Sequence, residues 1–334
     1  MTVPLEIAVV GLGVGEQHAL TYAALDGCRV RWVYDLDLGR AGQVIARIGQ
    51  GRVAASFEAL VADPAVDVVS IASYDDAHAR EVLAALDAGK HVFVEKPLCR
   101  TEDELVAVQR AARAAKRHLA SNLVLRGAPL YRYLRDLVAR GELGTVYAFD
   151  GDYLYGRLHK ITEGWRGAIP DYSVMLGGGV HLVDLMLWIT GQRPGAVSAS
   201  GNRIATAGSR FRSHDFVAAS YEFPSGLVGR ITANFGSVHR HHHVVRVFGT
   251  RGTFIYDDAG ARLHRDRDPA TPPVAIDQAP LPASKGVLIP DFVAGIRAGA
   301  DPRAAAEHEF DVVAACIAAD QALAIGKPIE VHYE

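Results

Sequence analysis

Two features near the start of this 334-residue chain have the residue types and spacing to hold an anionic ligand. In Val9-Val10-Gly11-Leu12-Gly13-Val14-Gly15-Glu16 an apolar run gives way to alternating glycines and then to a helix-forming segment. Glycines there permit a tight turn and let a pyrophosphate approach backbone N–H groups at a helix N-terminus, where the dipole favours negative charge. The third glycine stands at 15 and Glu16 occupies the next position, so the G-x-G-x-x-G spacing is imperfect, and a plain strand-to-helix turn would look much the same. Asp35 is the second feature. It lies 20 residues beyond Gly15 at the end of the next apolar run, where a carboxylate can accept hydrogen bonds from both hydroxyls of an adenosine ribose. The combination marks Gly11, Gly13, Val14, Gly15 and Asp35 as dinucleotide-binding residues. The charges of Asp35 and Asp37 repel a 2′-phosphate, so NAD is expected over NADP, with Arg40 keeping NADP as the lesser alternative.

Further along, Ser70-Ile71-Ala72-Ser73-Tyr74-Asp75-Asp76-Ala77-His78 reads as a strand end whose loop would line a ligand crevice, with Ser73 as a cofactor contact. Asp75 or Asp76 is expected to cap the following helix, and His78 to sit on its face. The run Gly89-Lys90-His91-Val92-Phe93-Val94-Glu95-Lys96-Pro97 then places a lysine at a strand end next to proline, a poor place for an ordinary surface lysine. Tyr153 and Tyr155 share one face of their strand by the two-residue period, and either could line a pocket or pack in the core. In His239-Arg240-His241-His242-His243, the first impression is of a zinc site. On a strand, however, His241 and His243 point one way and His242 the other, and no cysteine or carboxylate is near in sequence, so a polar sheet face or pocket rim is expected and no metal.

These residues need elements to position them. Up to about residue 122, apolar runs at Leu5 to Val10, Val30 to Tyr34, Val66 to Ala72, His91 to Val94 and His118 to Asn122 alternate with amphipathic stretches at Glu16 to Leu25, Asp37 to Ile48, Asp76 to Ala88 and Glu102 to Ala115. Thr101 with Glu104 forms a capping box for the last helix. The expectation is an α/β Rossmann fold, a doubly wound parallel sheet, over 1–122. A linking helix follows, roughly Pro129 to Arg140. Strand-like runs come next at Val146 to Tyr155, Val197 to Ile204, Phe216 to Phe223, Leu227 to Ala233 and Val244 to Phe248, with turn signals such as Pro224-Ser225-Gly226. Helices are expected at about Gly178 to Ile189 and Ala305 to Ala324. Residues 123–334 thus read as an α+β domain with a large, open, mainly antiparallel sheet.

Composition narrows the classes of function. With 49% hydrophobic and 22% charged residues and a formal net charge of −3, the chain resembles an ordinary two-domain globular protein. It lacks the basic field that nucleic acid or an anionic membrane surface requires. Cys28, Cys99 and Cys316 are too few and too scattered for a disulfide framework. The start of the chain has no basic region before its apolar run, and Ser173 to Thr190 is interrupted by three glycines, His181 and Asp184, so neither a signal peptide nor a membrane span is expected. A soluble cytoplasmic protein is the expectation.

The glycine turn, the Gly89 to Pro97 run and the later Gly178-Gly179-Val180-His181-Leu182-Val183-Asp184 together resemble the Gfo/Idh/MocA family of sugar and polyol oxidoreductases over nearly the whole chain. The resemblance implies that Lys96 lies beside the nicotinamide and the substrate hydroxyl, with Glu95 and Pro97 shaping its loop. A lysine near oxidised nicotinamide has its proton affinity lowered and can exchange a proton with an alcohol or ketone. His181 matches the family's histidine and Asp184 an acid one turn later, whereas Gly177 stands where the family usually carries an aspartate. Arg126, Trp165 and Arg166 fall where substrate contacts are frequent, and a forked arginine suits carboxylate or phosphate. The implied activity is hydride transfer between NAD and a secondary alcohol of a sugar, polyol or nucleotide sugar. Arg126 and Arg166 favour the nucleotide sugar as the narrower choice. Gly177 keeps a second reading open, an NAD(H)-binding regulatory protein without turnover. The resemblance also implies a homodimer or homotetramer formed through the second domain's open sheet.

Overall fold

The computed structural model describes residues 3–333; residues 1, 2 and 334 of the expected domains lie outside the described residues. The chain forms two compact units, one running up to Val124 and resuming over Pro282–Phe310, the other comprising Leu125–Leu281 and the chain from Asp311.

The first unit begins with β1 (Leu5–Val10), α1 (Gly15–Ala24), β2 (Cys28–Tyr34), α2 (Leu38–Ile48), β3 (Arg52–Val53) and α3 (Phe57–Ala62). It continues with β4 (Val68–Ile71), α4 (His78–Asp87), β5 (His91–Val94), α5 (Glu102–Ala115) and β6 (Leu119–Ser121). The strands pair in parallel in the order β3-β2-β1-β4-β5-β6. This is the expected doubly wound sheet, and its order reverses between β1 and β4, where ligand crevices form at the carboxyl ends of the strands. Helices on both faces explain why β4 is buried at every residue and reads as an unbroken apolar run. The Thr101/Glu104 capping box is present in full. Before β4, two elements escaped the sequence reading: β3 is an exposed two-residue edge and α3 is only six residues long, both too short to show a period. Ala77 precedes α4 with no side-chain cap, so the expected capping by Asp75 or Asp76 does not occur.

The second unit contains α6 (Pro129–Ala139), β7 (Val146–Leu154), α7 (His159–Thr162), a 3-10 turn at Trp165–Ala168, a π-helical turn at Met175–Gly179 and α8 (Val180–Thr190). The sheet strands β8 (Ala196–Asn202), β9 (Phe216–Glu222), β10 (Val228–Asn234), β11 (His242–Gly249), β12 (Thr253–Asp257), β13 (Gly260–His264) and β14 (Val274–Ala275) follow. Near the end of the chain come α9 (Ile289–Arg297), α10 (Pro302–Ile325) and β15 (Ile329–Glu330). The nine strands of this sheet run in the order β14-β13-β12-β11-β7-β10-β9-β8-β15. Every neighbouring pair is antiparallel except β7 with β10 at its centre. On β9 and β10 buried residues alternate with less buried ones, the mark of a sheet covered on one face. The covering helix α8 is buried at nine of its eleven residues and presses close because the strands beneath carry glycine. A Cβ on Gly229 would meet Met186 Sδ at 2.2 Å, and one on Gly151 would meet Ile231 Cδ1 at 2.9 Å and Leu182 Cδ1 at 3.1 Å.

Helix α9 was not anticipated. Its Ile289, Phe292 and Val293 complete the first unit's core with Ile7, Val9, Tyr22 and Phe93. A division into 1–122 and 123–334 makes no provision for this return of the chain. Among the described residues no helix is long and apolar enough to cross a membrane, and the three cysteines are free thiols.

Candidate functional site

The residues singled out from the sequence fall into two clusters, one in each unit. In the first unit, Gly11 adopts φ +75°, and a Cβ there would lie 2.5 Å from the Ala72 carbonyl and Ser73 N, so only glycine lets the turn rest on the loop after β4. A Cβ on Gly15 would lie 3.1 Å from Ala72 Cβ and 3.4 Å from Val9 Cγ1, so the start of α1 sits close to the strand. That close helix-to-strand approach is the task of the third glycine in such turns, here carried out one position early. Gly13 is exposed, and a Cβ there would meet nothing within 4 Å. The middle of the turn therefore presents bare backbone. Val14 beside it is also exposed. Glu16, whose charge would repel a phosphate, is paired with Arg47 on α2.

Asp35 at the end of β2 braces the turn, with Oδ2 accepting from Leu12 N at 2.6 Å and Oδ1 from Asp37 N at 2.8 Å. A carboxylate has about four acceptor positions, so capacity for a ribose diol remains on this half-buried group. The open backbone at Gly13, the helix N-terminus and the Asp35 carboxylate fit an adenine dinucleotide. Ser73 lies at the same edge, but its hydroxyl donates to Glu81 Oε2 at 2.6 Å. Any contact with a cofactor would therefore use its accepting oxygen or its backbone.

Lys96 follows β5 through Glu95, and the Lys96–Pro97 peptide is cis. Glu95 sits in a network that sequence reasoning missed. Its Oε1 accepts from Asn122 Nδ2 at 2.7 Å and lies 3.4 Å from His18 Nε2, and Oε2 accepts from Lys96 N at 3.3 Å. His18 Nδ1 reaches Ser70 Oγ at 3.0 Å, and Asn122 Nδ2 also donates to the Lys285 carbonyl at 2.7 Å. Burial alone would raise the Glu95 pKa, but the hydrogen bond and charge of His18, the charge of Lys96 and the Asn122 hydrogen bond outweigh it and hold the carboxyl at about 2. Glu95 is thus an ionised post under the lysine loop. His78, buried at the start of α4, ties the neighbouring loops through the carbonyls of Pro97, at 2.7 Å, and Ser73, at 3.2 Å.

In the second unit, the Gly177-Gly178-Gly179 run lies in the π turn ahead of α8, and side chains of the same unit occupy the space a Cβ would take. A Cβ on Gly177 would lie 2.1 Å from Tyr172 Oη, one on Gly178 2.4 Å from Tyr153 Cε1, and one on Gly179 3.0 Å from Met175 Sδ. π turns recur at functional sites. His181 follows in the first turn of α8, 7% exposed. Its ring stacks beside Tyr153 (centroids 6.2 Å) and lies 6.4 Å from His243. Tyr153 in turn contacts Tyr155, Phe235, His241 and His243 at 5.3 to 6.2 Å. The two tyrosines do share a face, and His241 and His243 join it while His242 turns to Tyr256 on the other side. Among the described residues no three metal-ligating side chains converge on a metal site.

Arg126 grips both oxygens of Asp184, Nε lying 2.8 Å from Oδ1 and 3.0 Å from Oδ2 and Nη2 2.6 Å from Oδ1, and the Asp184 side chain is fully buried. Arg166 lies over the Trp165 ring, 4.3 Å from its centroid, and donates from Nε to Tyr172 Oη at 3.2 Å. Both guanidinium groups have internal partners. Within the unit, Asp184 is the anchor of Arg126. Tyr172 was not singled out; the only hint in the sequence was the unexplained glycine at 177.

Comparison with known proteins agrees with this architecture. A model described as "Oxidoreductase family, NAD-binding Rossmann fold" matches residues 5–123, and a model of the GFO/IDH/MocA C-terminal domain matches residues 131–255. Inositol 2-dehydrogenase 2 of Saccharopolyspora erythraea is 33% identical over 193 residues, 56% of this chain and 54% of that protein. The 1,5-anhydro-D-fructose reductase of Ensifer adhaerens is 32% identical over 212 residues, 62% of each chain. The chain thus matches less than two thirds of either relative's length. Among solved structures, a levoglucosan dehydrogenase in complex with NADH and L-sorbose superposes with a TM-score of 0.86 over 98% of this chain and 99% of that one; at 20% identity it speaks to the fold alone. With both family models matched in sequence order and both domain folds present, the chain belongs to the GFO/IDH/MocA oxidoreductase family.

Proposed function

We propose that this protein is an NAD-dependent dehydrogenase that oxidises a secondary alcohol of a neutral sugar or polyol, with Lys96 and His181 handling the hydroxyl proton. The observation that carries the cofactor half is the bare backbone at Gly13 beside the braced Asp35 carboxylate. Bound NAD supplies the hydride acceptor. Gly11, Gly13, Val14 and Gly15 receive the pyrophosphate, Asp35 the ribose, and Ser73 and Glu95 shape the nicotinamide end. The Lys96 amine takes the alcohol proton as the carbonyl forms and returns it in the reverse direction. His181 donates to or accepts from a substrate oxygen, and Tyr153 and Trp165 offer ring faces to the carbon skeleton.

Neutral substrates are favoured because the Arg126 guanidinium is committed to Asp184 and Arg166 to Trp165 and Tyr172. The names of the relatives point the same way, toward inositol, an anhydrosugar and levoglucosan. Purified protein given NAD and a panel of inositols, anhydrosugars, hexoses and UDP-sugars is expected to generate the absorbance of reduced cofactor with a neutral member, and Lys96→Ala is expected to abolish it. Tight NAD binding with no turnover across the panel would instead establish the regulatory reading.

The same proposal places the protein in the cytoplasm as a homodimer or homotetramer. The open face of the second unit's sheet carries Asp150 with Arg230 and Asp152 with Arg246, alternating charges suited to a copy of themselves. A monomeric mass by light scattering would remove this part.

A further inference from the structure

Glu16 stands where the G-x-G-x-x-G spacing calls for glycine, in the first turn of α1. That turn is the pyrophosphate seat of the cofactor reading. Val14 ahead of it supplies no side-chain cap, so the first N–H groups of the helix gain no partner from it. Negative charge is already dense here. Asp35 accepts from Leu12 N within the turn, and Asp37, two residues on, caps α2. A third carboxylate, in the helix turn itself, opposes an anion that the helix dipole attracts. At physiological salt charges act over about 8 Å, so Glu16 needs no contact with a phosphate to weaken its binding.

Arg47 answers that charge. It lies in the last turn of α2, and its Nη1 meets Glu16 Oε1. The Arg47 side chain is 59% exposed and that of Glu16 24%, so the pair adds little to the stability of the fold. Helix α2 reaches the core through Ala41 and Val44, which leaves Arg47 at the rim.

We propose that Arg47 is a determinant of NAD affinity: by pairing with Glu16 it cancels the one carboxylate in the pyrophosphate turn, without itself contacting the phosphates. The inference rests on the cofactor reading above. It accounts for a glutamate at a position that calls for glycine. The packing task of that glycine has passed to Gly15, next to Ala72 and Val9, and the charge that Glu16 brings is met from the neighbouring helix.

The test titrates the full chain with NAD by calorimetry at about 0.02 M and about 1 M salt, where the screening length differs severalfold. Arg47→Ala is expected to weaken binding roughly fivefold at low salt, the scale of one unit charge near a helix N-terminus. At high salt the loss should shrink below about twofold, and Tm should stay unchanged at both. The decisive variant is Glu16→Gln with Arg47→Ala, which is expected to return to wild-type affinity because both charges have gone. A double variant as weak as Arg47→Ala overturns the inference, since the arginine would then be serving the phosphates directly. So does an Arg47→Ala that binds NAD like the wild type at low salt. Either result leaves the cofactor reading intact; a wild type that binds no NAD overturns the two together.

Discussion

The glycine turn after β1 and the glycine run before α8 use the same residue to opposite ends. At Gly13 the missing side chain leaves open space over the backbone, with nothing within 4 Å. At Gly177 and Gly178 the space is filled by the unit's own rings, Tyr172 and Tyr153, at 2.1 and 2.4 Å. One turn leaves its backbone open, and the other is bare because aromatic side chains already cover it. A glycine motif therefore marks a close approach to backbone without saying what approaches.

That contrast can be broken experimentally. The largest effect is expected beside the covered run, where Arg126 neutralises the fully buried Asp184. Arg126→Ala strands that carboxylate and should cost about 3–5 kcal/mol in chemical denaturation. Gly178→Ala drives a methyl into Tyr153 and Phe235, for an expected loss of about 1–3 kcal/mol in the same measurement. Gly13→Ala should sharpen the comparison from the other side. Stability is expected to stay within about 0.5 kcal/mol, while NAD affinity measured by calorimetry falls roughly tenfold or more as the methyl occupies ligand space. Equal destabilisation by the two alanines would erase the distinction.

A smaller effect should appear with pH in the first unit. Because the Glu95 pKa is lowered on folding from 4.5 to about 2, its contribution is fully present above 4.5 and is lost as pH falls towards 2. Thermal melts between these limits should show a steeper acid loss for the wild type than for Glu95→Gln. Least affected should be Asp258→Ala, which removes an exposed, solvent-screened partner of His239 and Arg240 and should leave the melting temperature unchanged.

Legibility followed the same divide. β1, β5 and α5 were placed residue for residue, since long apolar runs and a capping box are local signals. Asp35 and the lysine run could be read from spacing along consecutive βα units. The His18–Glu95–Asn122 network could not, because its members come from α1, β5 and the end of β6, and nothing in their own neighbourhoods requires them to meet. Helix α9 was missed for a related reason: it completes a core whose other walls lie more than 180 residues earlier in the chain. The arginines show the cost of reading function from residue type. Arg126 has the fork a phosphate wants, but Asp184, 58 residues on, claims it.

By itself, then, the sequence determined the parallel first domain, the open sheet of the second, the glycine turn with its acidic partner and the lysine at the end of β5. These depend on periodicity and on chemistry confined to a few consecutive residues. Tertiary structure alone decided that Gly13 is open and Gly177 closed, that Arg126 and Arg166 have partners, and that Tyr172 stands where a side chain at 177 would begin. Whether space beside a backbone is empty depends on atoms brought there from elsewhere in the chain, and local sequence carries no record of them.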